Sequence, residues 1–164
     1  MDKLLNAYEV LTIAQTIEEN GAKFYREAAK LHKAEADTSF LLRLADMEDD
    51  HKNKFTEMQQ ALSPVIGPDP DILASVDEYL KALSDSTSLE GSIFASYLFS
   101  GDEALSDIVM IGIDLEKETI LYYLGLKDLF TKKQDLKVID AIIQEEKSHI
   151  GTLIYEYRIL KTTE

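Results

Sequence analysis

The sequence predicts an all-α protein in which four long helices pack as a bundle. Apolar residues recur at intervals of three and four along most of its 164 residues, which is the periodicity of amphipathic helices. Hydrophobic residues make up 45% of the chain and charged residues 29%, with only three prolines and seven glycines, as in an ordinary globular protein. A chain of this length can bury one core, so we expect a single domain over residues 1–164.

The first two predicted helices form a hairpin over about residues 6–62. The first helix covers about residues 6–33, and its apolar stripe consists of Ala7, Leu11, Ala14, Ala22, Tyr25 and Ala29. The second covers about residues 38–62, after a predicted cap at Asp37. Its apolar side consists of Leu41, Leu44, Phe55, Met58 and Leu62. We expect it to end before Pro64, because proline disfavours a helical conformation at the residue before it.

A long connection then leads to a second predicted hairpin over about residues 101–161. All three prolines lie at its start and predict turns, followed by a weaker helical segment at residues 72–83 and a stretch at 84–100 for which we favour helix. Ser100-Gly-Asp-Glu103 has the spacing of a capping box and predicts a third helix from there to about Phe130. The fourth helix covers about residues 136–160, with an apolar side of Ile139, Ile142, Leu153 and Tyr157.

The two hairpins match each other when the sequence is shifted by 98 residues. The shift places Glu18 on Glu116, Tyr25 on Tyr123, Glu48 on Glu146 and His51 on His149. In each hairpin the two glutamates are 30 residues apart. Such a repeat predicts two helical hairpins related by a pseudo-two-fold axis and joined by a crossover between helices two and three.

One glutamate interrupts the apolar stripe of each predicted helix. These residues are Glu18, Glu48, Glu116 and Glu146, and all four should point into the core. Burying one unpaired carboxylate costs several kcal/mol, whereas the stability of a whole domain is only about 5–15 kcal/mol. Positive charge must therefore lie among them.

Two histidines indicate what supplies that charge. His51 and His149 each follow a core glutamate by three residues, so carboxylate and imidazole share one helix face. One glutamate from each of two helices, with Glu-x-x-His from each of the other two, is a di-iron or di-manganese arrangement of helical bundles. We therefore predict two metal ions with six ligands, which are Glu18, Glu48, His51, Glu116, Glu146 and His149. The alternative is a bundle that has lost its metal and solvates these glutamates.

The other polar residues near these positions receive weaker assignments. Tyr25 and Tyr123 lie two turns after a core glutamate, and either fill the core or hydrogen-bond a ligand carboxylate from outside the ligand shell. We predict no catalytic residue beyond the metal ligands. His32 has no counterpart in the repeat and should be an exposed histidine at a helix end. The solvated neighbours of the core glutamates should be Glu19, Glu118 and Glu145.

Taken together, these motifs resemble the rubrerythrin branch of the ferritin-like superfamily. The matching segments are Glu18-x-x-Gly21-x-x-Phe24-Tyr25, Glu48-x-x-His51, Glu116 with Tyr122-Tyr123, and Glu146-x-x-His149. The resemblance implies a ferritin-like four-helix bundle in which Glu48 and Glu146 bridge two metals. It also implies that Glu18 and His51 serve one metal, that Glu116 and His149 serve the other, and that a di-ferrous site reduces hydrogen peroxide.

The sequence departs from that family in two respects. Typical rubrerythrins carry a rubredoxin domain with cysteine-bound iron, whereas this chain has neither that domain nor any cysteine. They also have a seventh carboxylate ligand three residues after the third-helix glutamate, where this chain has Thr119. The first departure implies an external electron-donor protein, and the second puts efficient peroxidase turnover in question.

Three functions follow from these observations as alternatives. The chain is a di-iron oxidoreductase acting on peroxide or dioxygen, an iron-binding or ferroxidase protein without further catalysis, or a helical interaction module with a structural metal site. Carboxylate and imidazole ligands suit iron, manganese and zinc alike, and the resemblance favours iron.

Composition also constrains partners and location. A net charge of −14 argues against nucleic acid, which requires a basic face. We expect no membrane segment and a cytoplasmic location, because the chain has no apolar run of about 18 residues and its N-terminus does not resemble a signal peptide. Bundles of this size often self-associate, so a homodimer is expected.

Overall fold

A computed structural model of the protein describes residues 6–62, 99–128 and 130–163. Within these ranges the chain forms four α-helices and no strand. Their bounds are Ala7–Leu31 (α1), Glu35–Gln60 (α2), Leu105–Lys127 (α3) and Lys133–Thr163 (α4). The predicted all-α four-helix architecture is confirmed. The helix expected at residues 72–83 and most of the stretch at 84–100 lie outside the described residues, and Phe99 and Ser100 are not helical.

The helices pack as two antiparallel hairpins. Helix α1 lies along α2, α3 lies along α4, and α1 also contacts α4. Hydrogen bonds and ion pairs fix the directions, because along each packed pair the partner's number falls as the residue's number rises. The pairs that show this are Gln15–Gln59 and Lys52–Glu19 for α1 and α2, Lys127–Asp140 and Ser106–Lys161 for α3 and α4, and Arg43–Glu156 and Lys54–Glu145 for α2 and α4.

The core is divided into two apolar clusters, one towards each end of the bundle. The first contains Leu11, Ile13, Phe55, Tyr123, Ile139 and Ile142, among others. The second contains Tyr25, Leu41, Leu44, Ile108, Val109 and Leu153, among others. Every residue of the predicted α1 stripe is buried, so the helical periodicity of the sequence identified the inner face correctly. The polar residues that interrupt the apolar stripes lie between the two clusters.

Side-chain capping marks the start of α1, whereas the predicted caps of the second and third helices are wrong. Asn6 and Glu9 form a capping box at the start of α1. Helix α2 begins at Glu35, so Asp37 lies inside its first turn and is not its cap. The capping position is Ala34, which has no side-chain acceptor. Carboxylates in the first turn instead interact favourably with the positive end of the helix dipole.

The Ser100–Glu103 motif does not begin a helix either. The Glu103 carboxylate accepts hydrogen bonds from the Ser100 and Gly101 amides, and these bonds lower its pKa to about 2. Gly101 has φ +86°, which closes a turn and prevents helix at this point. Helix α3 therefore begins four residues later than Gly101, at Leu105, and it ends at Lys127 rather than near Phe130.

Two helix ends differ from the sequence predictions. Helix α4 extends three residues further than predicted at each end. His32 forms the C-terminal cap of α1 and is half-buried rather than exposed, with its ring nitrogens 2.9 Å from the Ala28 carbonyl oxygen and 3.2 Å from that of Glu103. Among the described helices, none has the length and apolar character needed to cross a membrane.

Two capping substitutions test this account of the helix ends. We expect Asn6→Ala to lower the free energy of unfolding by about 1 kcal/mol, because two backbone amides of α1 lose their acceptor. Ala34→Ser should raise it by roughly 0.5–1 kcal/mol, since it supplies the acceptor that α2 lacks. Urea unfolding of both variants in the presence of a chelator measures these changes, and equal stability of all three proteins would contradict the assignment.

Candidate metal centre

The six predicted ligands converge in one layer between the two apolar clusters. Helix α1 contributes Glu18, α2 contributes Glu48 and His51, α3 contributes Glu116, and α4 contributes Glu146 and His149. Five of these side chains are buried, and Glu146 and His149 have 0% and 1% of their surface exposed. His51 is the exception, with 17% of its side chain accessible to solvent. The helical spacing read from the sequence therefore places four carboxylates and two imidazoles in one interior layer.

The ligand atoms are close enough to share ions. Nδ1 of His149 lies 2.7 Å from Oε1 of Glu116, and its Nε2 lies 3.4 Å from Oε1 of Glu48. Nδ1 of His51 lies 3.6 Å from Oε2 of Glu18, and the two imidazole rings are 4.5 Å apart. The ligand atoms form two groups, and within each group all the atoms lie within 4.8 Å of one another. They are Glu18, Glu48, His51 and His149 in the first, and Glu116, Glu146 and His149 in the second.

Several buried polar atoms of this layer lack hydrogen-bond partners among the described residues. They include Oε2 of Glu18, both carboxylate oxygens of Glu146, Nδ1 of His51 and both ring nitrogens of His149. The 2.7 Å approach of His149 to Glu116 is thus a contact without hydrogen-bond geometry. Buried polar atoms are nearly always satisfied in folded proteins. Oxygen and nitrogen atoms that converge without bonding each other have the donor set and spacing for two divalent cations.

The electrostatics of the layer lead to the same conclusion. Burial, reinforced by the charges of Glu116 and Glu18, raises the pKa of Glu48 well above its ordinary value. Burial and the same kind of repulsion, from Glu18 and Glu116, raise the pKa of Glu146 well above the ordinary value for a glutamate. For His51, burial opposes ionisation, but contact with Glu18 outweighs it and the pKa rises. The metal-free layer therefore favours protonated forms, whereas bound cations would favour the ionised carboxylates.

A small cavity lies against one side of the carboxylates. Its volume is about 30 Å³, enough for about two water molecules, and it is partly open to solvent. It is lined by Ile17, Glu18, Gly21, Phe24, Tyr25, Glu48, Gly112, Leu115, Glu116 and Thr119. Sequence reasoning did not identify this cavity. The sequence feature that could have indicated the cavity is a glycine inside α1 and another inside α3, each about one turn from a core glutamate.

Gly21 shows why a glycine stands at such a position. A Cβ atom there would lie 3.1 Å from Cδ of Glu48, which is tighter than most real contacts. Gly21 therefore leaves room for the Glu48 carboxylate without ending α1, which continues to Leu31. From the sequence, Gly21 was recognised only as part of the motif Glu18-x-x-Gly21-x-x-Phe24-Tyr25. Its spatial role depends on a side chain 27 residues away on the neighbouring helix.

The other predicted polar residues lie at different depths. Tyr25 and Tyr123 are fully buried beside the layer, and within the described residues neither hydroxyl has a hydrogen-bond partner. Of the neighbouring acids, Glu19 is exposed, while Glu118 and Glu145 are half-buried. Glu19 and Glu145 form ion pairs with Lys52 and Lys54 respectively. His32 lies at the end of α1, outside both ligand groups.

Comparison with known proteins gives a family match. The family model described as rubrerythrin matches residues 9–157, which include all four helices except their outermost ends and all six predicted ligands. None of the curated proteins matches the chain.

Solved structures show the same fold. One is described as a ferritin-like diiron-carboxylate protein from Thermotoga maritima; it is 24% identical, with a TM-score of 0.51, and the match covers 96% of this chain and 98% of that one. A hypothetical protein from Pyrococcus furiosus is 19% identical, with a TM-score of 0.53 and coverage of 98% and 93%. At these identities the similarity supports the fold alone, and it agrees with the bundle described above.

Removing one buried charge should stabilise the metal-free protein. We expect Glu146→Gln to raise the free energy of unfolding of the chelated protein at neutral pH by roughly 1–3 kcal/mol, because it removes a buried carboxylate that others repel. The same substitution should greatly reduce the stabilisation gained on adding Fe²⁺ or Zn²⁺. Thermal unfolding with and without metal measures both effects, with Glu145→Gln as the control beside it in sequence. A loss of stability in the chelated Glu146→Gln protein would contradict this account.

The pH dependence of the metal-free protein has a defined sign. Glu48, Glu146 and His51 have raised pKa values in the folded state, so their stabilising contribution is present at low pH and is lost as the pH rises through those values. Between about pH 5 and 8 the free energy of unfolding should fall by at least about 1 kcal/mol. Glu103, whose pKa is lowered to about 2, titrates below this window. Urea titrations with chelator test this, and a rise in stability over the window would contradict it.

Proposed function

This chain belongs to the rubrerythrin family, and we propose that it is a di-iron oxidoreductase that reduces hydrogen peroxide, or activates dioxygen, with electrons from an external donor. The observation that supports the proposal is that six ligand side chains converge beside a small, partly open cavity of about 30 Å³. Both features lie in the same layer of the bundle, between two apolar clusters.

The proposed ligand roles follow the contacts in the layer. His51 lies nearest Glu18, which supports a first ion held by these two residues. His149 lies nearest Glu116, which supports a second ion held by that pair. Glu48 belongs to the first ligand group and Glu146 to the second, and both are central and buried. We assign Glu48 and Glu146 as the carboxylates that bridge the two ions.

The chemistry requires electrons, protons and a restricted approach. Two ferrous ions held by these residues would supply the two electrons that, with two protons, convert hydrogen peroxide to two waters. The protein's residues restrict access, since apolar clusters cover the layer from both ends. The partly open cavity between α1 and α3 gives a small molecule and water a path to Glu18, Glu48 and Glu116. Electrons must return from another molecule, because the chain has no cysteine to hold an iron–sulfur centre.

One observation favours a second role, in iron oxidation or storage rather than rapid peroxide turnover. Thr119 lines the cavity and is buried, and its hydroxyl donates to the Leu115 carbonyl 3.0 Å away. It supplies no carboxylate at the position where the family pattern read from the sequence has a seventh ligand. A ferroxidase would need only the six remaining ligands.

The predicted homodimer and cytoplasmic location remain predictions.

Metal content and peroxide reactivity test the proposal together. We expect about two irons per chain in protein reconstituted with Fe²⁺ and rapid oxidation of the ferrous form by stoichiometric peroxide. His149→Ala should lose most of this iron and the reaction, because it removes an imidazole from both ligand groups. His32→Ala is the matched control, since His32 lies outside these groups, and it should behave as wild type.

The result that would contradict the proposal is protein that binds zinc or no metal and shows no spectral response to peroxide after iron reconstitution. Uptake of many more than two irons per chain, with oxidation by dioxygen, would favour the ferroxidase role instead. Metal analysis and stopped-flow absorbance distinguish these outcomes.

A further inference from the structure

The hydroxyl of Tyr25 is a buried polar group that no protein atom in the described part of the chain satisfies. The side chain has 1% of its surface exposed, and it lines the small cavity together with the carboxylates of Glu48 and Glu116. Buried phenols normally find a hydrogen-bond partner. A phenol is un-ionised near neutral pH and can donate a hydrogen bond. It is therefore a fixed donor beside the metal layer.

Gly112 on α3 makes this position of the hydroxyl possible. A Cβ atom at residue 112 would lie 2.0 Å from the Tyr25 hydroxyl oxygen, far inside any permitted contact. A glycine in a helix interior is otherwise unfavourable relative to alanine. Gly112 also lines the cavity, so the glycine places the phenol tip at the cavity wall.

The equivalent positions of the other hairpin differ. A shift of 98 residues pairs Tyr25 with Tyr123 and Gly112 with Ala14. Tyr123 is as deeply buried as Tyr25, and its hydroxyl likewise has no hydrogen-bond partner in the described ranges. Neither Tyr123 nor Ala14 belongs to the wall of the cavity beside Glu48 and Glu116. The cavity therefore lies on one side of a ligand set that is otherwise nearly symmetric in sequence.

We propose that Tyr25, held in place by Gly112, donates a hydrogen bond to a small oxygen or anionic ligand in this cavity, and that Tyr123 does not. This deepens the proposed function and rests on it, because it assigns the ligand-binding side of the same centre. The ligand has two or three heavy atoms and a terminal acceptor, as hydrogen peroxide and azide have. The volume of about 30 Å³ has room for a ligand of this size.

The consequence is that the two sides of the centre are not equivalent, because the cavity lies on the side of Glu48 and not on that of Glu146. Tyr25 and Glu48 border the cavity, as do Glu18 and Glu116, whereas Glu146, His51 and His149 are absent from its wall. A ligand in the cavity therefore approaches the carboxylate side of the centre, and the two imidazoles lie away from it. Gly112 and Tyr25 then act as a size and polarity filter on that side.

Azide binding to the iron-loaded ferric protein tests this directly. Azide is the probe, and its dissociation constant is read from the absorbance of the iron–azide complex. We expect Tyr25→Phe to weaken binding about 10- to 100-fold, as for loss of one hydrogen bond to a charged acceptor, with unchanged iron content. Tyr123→Phe is the matched control, equal in size and burial, and should stay within about twofold of wild type.

A second pair of variants protects the test against misfolding of the first. Gly112→Ala should weaken azide by at least about tenfold, because the added methyl group displaces the Tyr25 hydroxyl into the cavity or away from it. Ala14→Gly, its counterpart in the repeat, should leave azide binding within about twofold. Iron content and thermal unfolding of each variant accompany the titration.

The outcomes separate this inference from the proposed function. Equal azide affinity in the Tyr25→Phe and Tyr123→Phe proteins overturns the inference, as does wild-type ferric protein that binds no azide. If Tyr25→Phe and Gly112→Ala alone weaken azide while the wild-type ferrous protein fails to react with peroxide, the binding side is correct and the peroxidase proposal is wrong.

Discussion

One constraint governs the structure, because four carboxylates that repel one another are buried in a single layer. Glu18, Glu48, Glu116 and Glu146 are each 8% exposed or less, and burial and repulsion shift the pKa of two of them well upwards. Such a layer is unfavourable in a folded chain unless protons or cations neutralise it. Contact with Glu18 raises the pKa of the His51 imidazole, but one histidine cannot balance four carboxylates, and neither ring nitrogen of His149 has a hydrogen-bond partner in the described structure. We therefore expect metal binding to be coupled to folding, so that bound cations would stabilise the bundle.

The rest of the bundle accommodates that layer. Two apolar clusters seal it above and below, and ion pairs between α2 and α4 lie outside it. Gly21 gives the Glu48 carboxylate the space it occupies, and Gly112 gives the Tyr25 hydroxyl the space that it occupies. Glycine weakens a helix interior, so both helices lose some local stability at these positions. In return, the glutamate and tyrosine side chains have the space that they occupy at the centre. Both glycines also line the small cavity.

The local sequence predicted the four helices correctly, but it did not predict all the residues at which they begin and end. Apolar periodicity identified the inner face of α1 correctly, because a helix in a bundle must bury one side. Capping motifs misled at Asp37 and at Ser100–Glu103, since the same side chains that cap a helix can also close a turn. At the second site the left-handed conformation of Gly101 closes a turn, and Glu103 serves that turn instead. His32 likewise was expected to be exposed, but two backbone carbonyls from different parts of the chain enclose its ring.

The sequence by itself determined the fold class and the side chains that meet in the metal layer. It could do so because helical periodicity turns spacing into a face, and because the Glu-x-x-His pairs and the 98-residue shift repeat that spacing twice. Only the tertiary structure determined that there is a cavity and that Tyr25 borders it whereas Tyr123 does not. It also explained why residues 21 and 112 are glycines. Those properties arise where one helix closely approaches another, as at Gly112, where an added Cβ atom would lie 2.0 Å from the Tyr25 hydroxyl oxygen. Periodicity within a helix carries no information about such distances, because they depend on how side chains of different helices interlock.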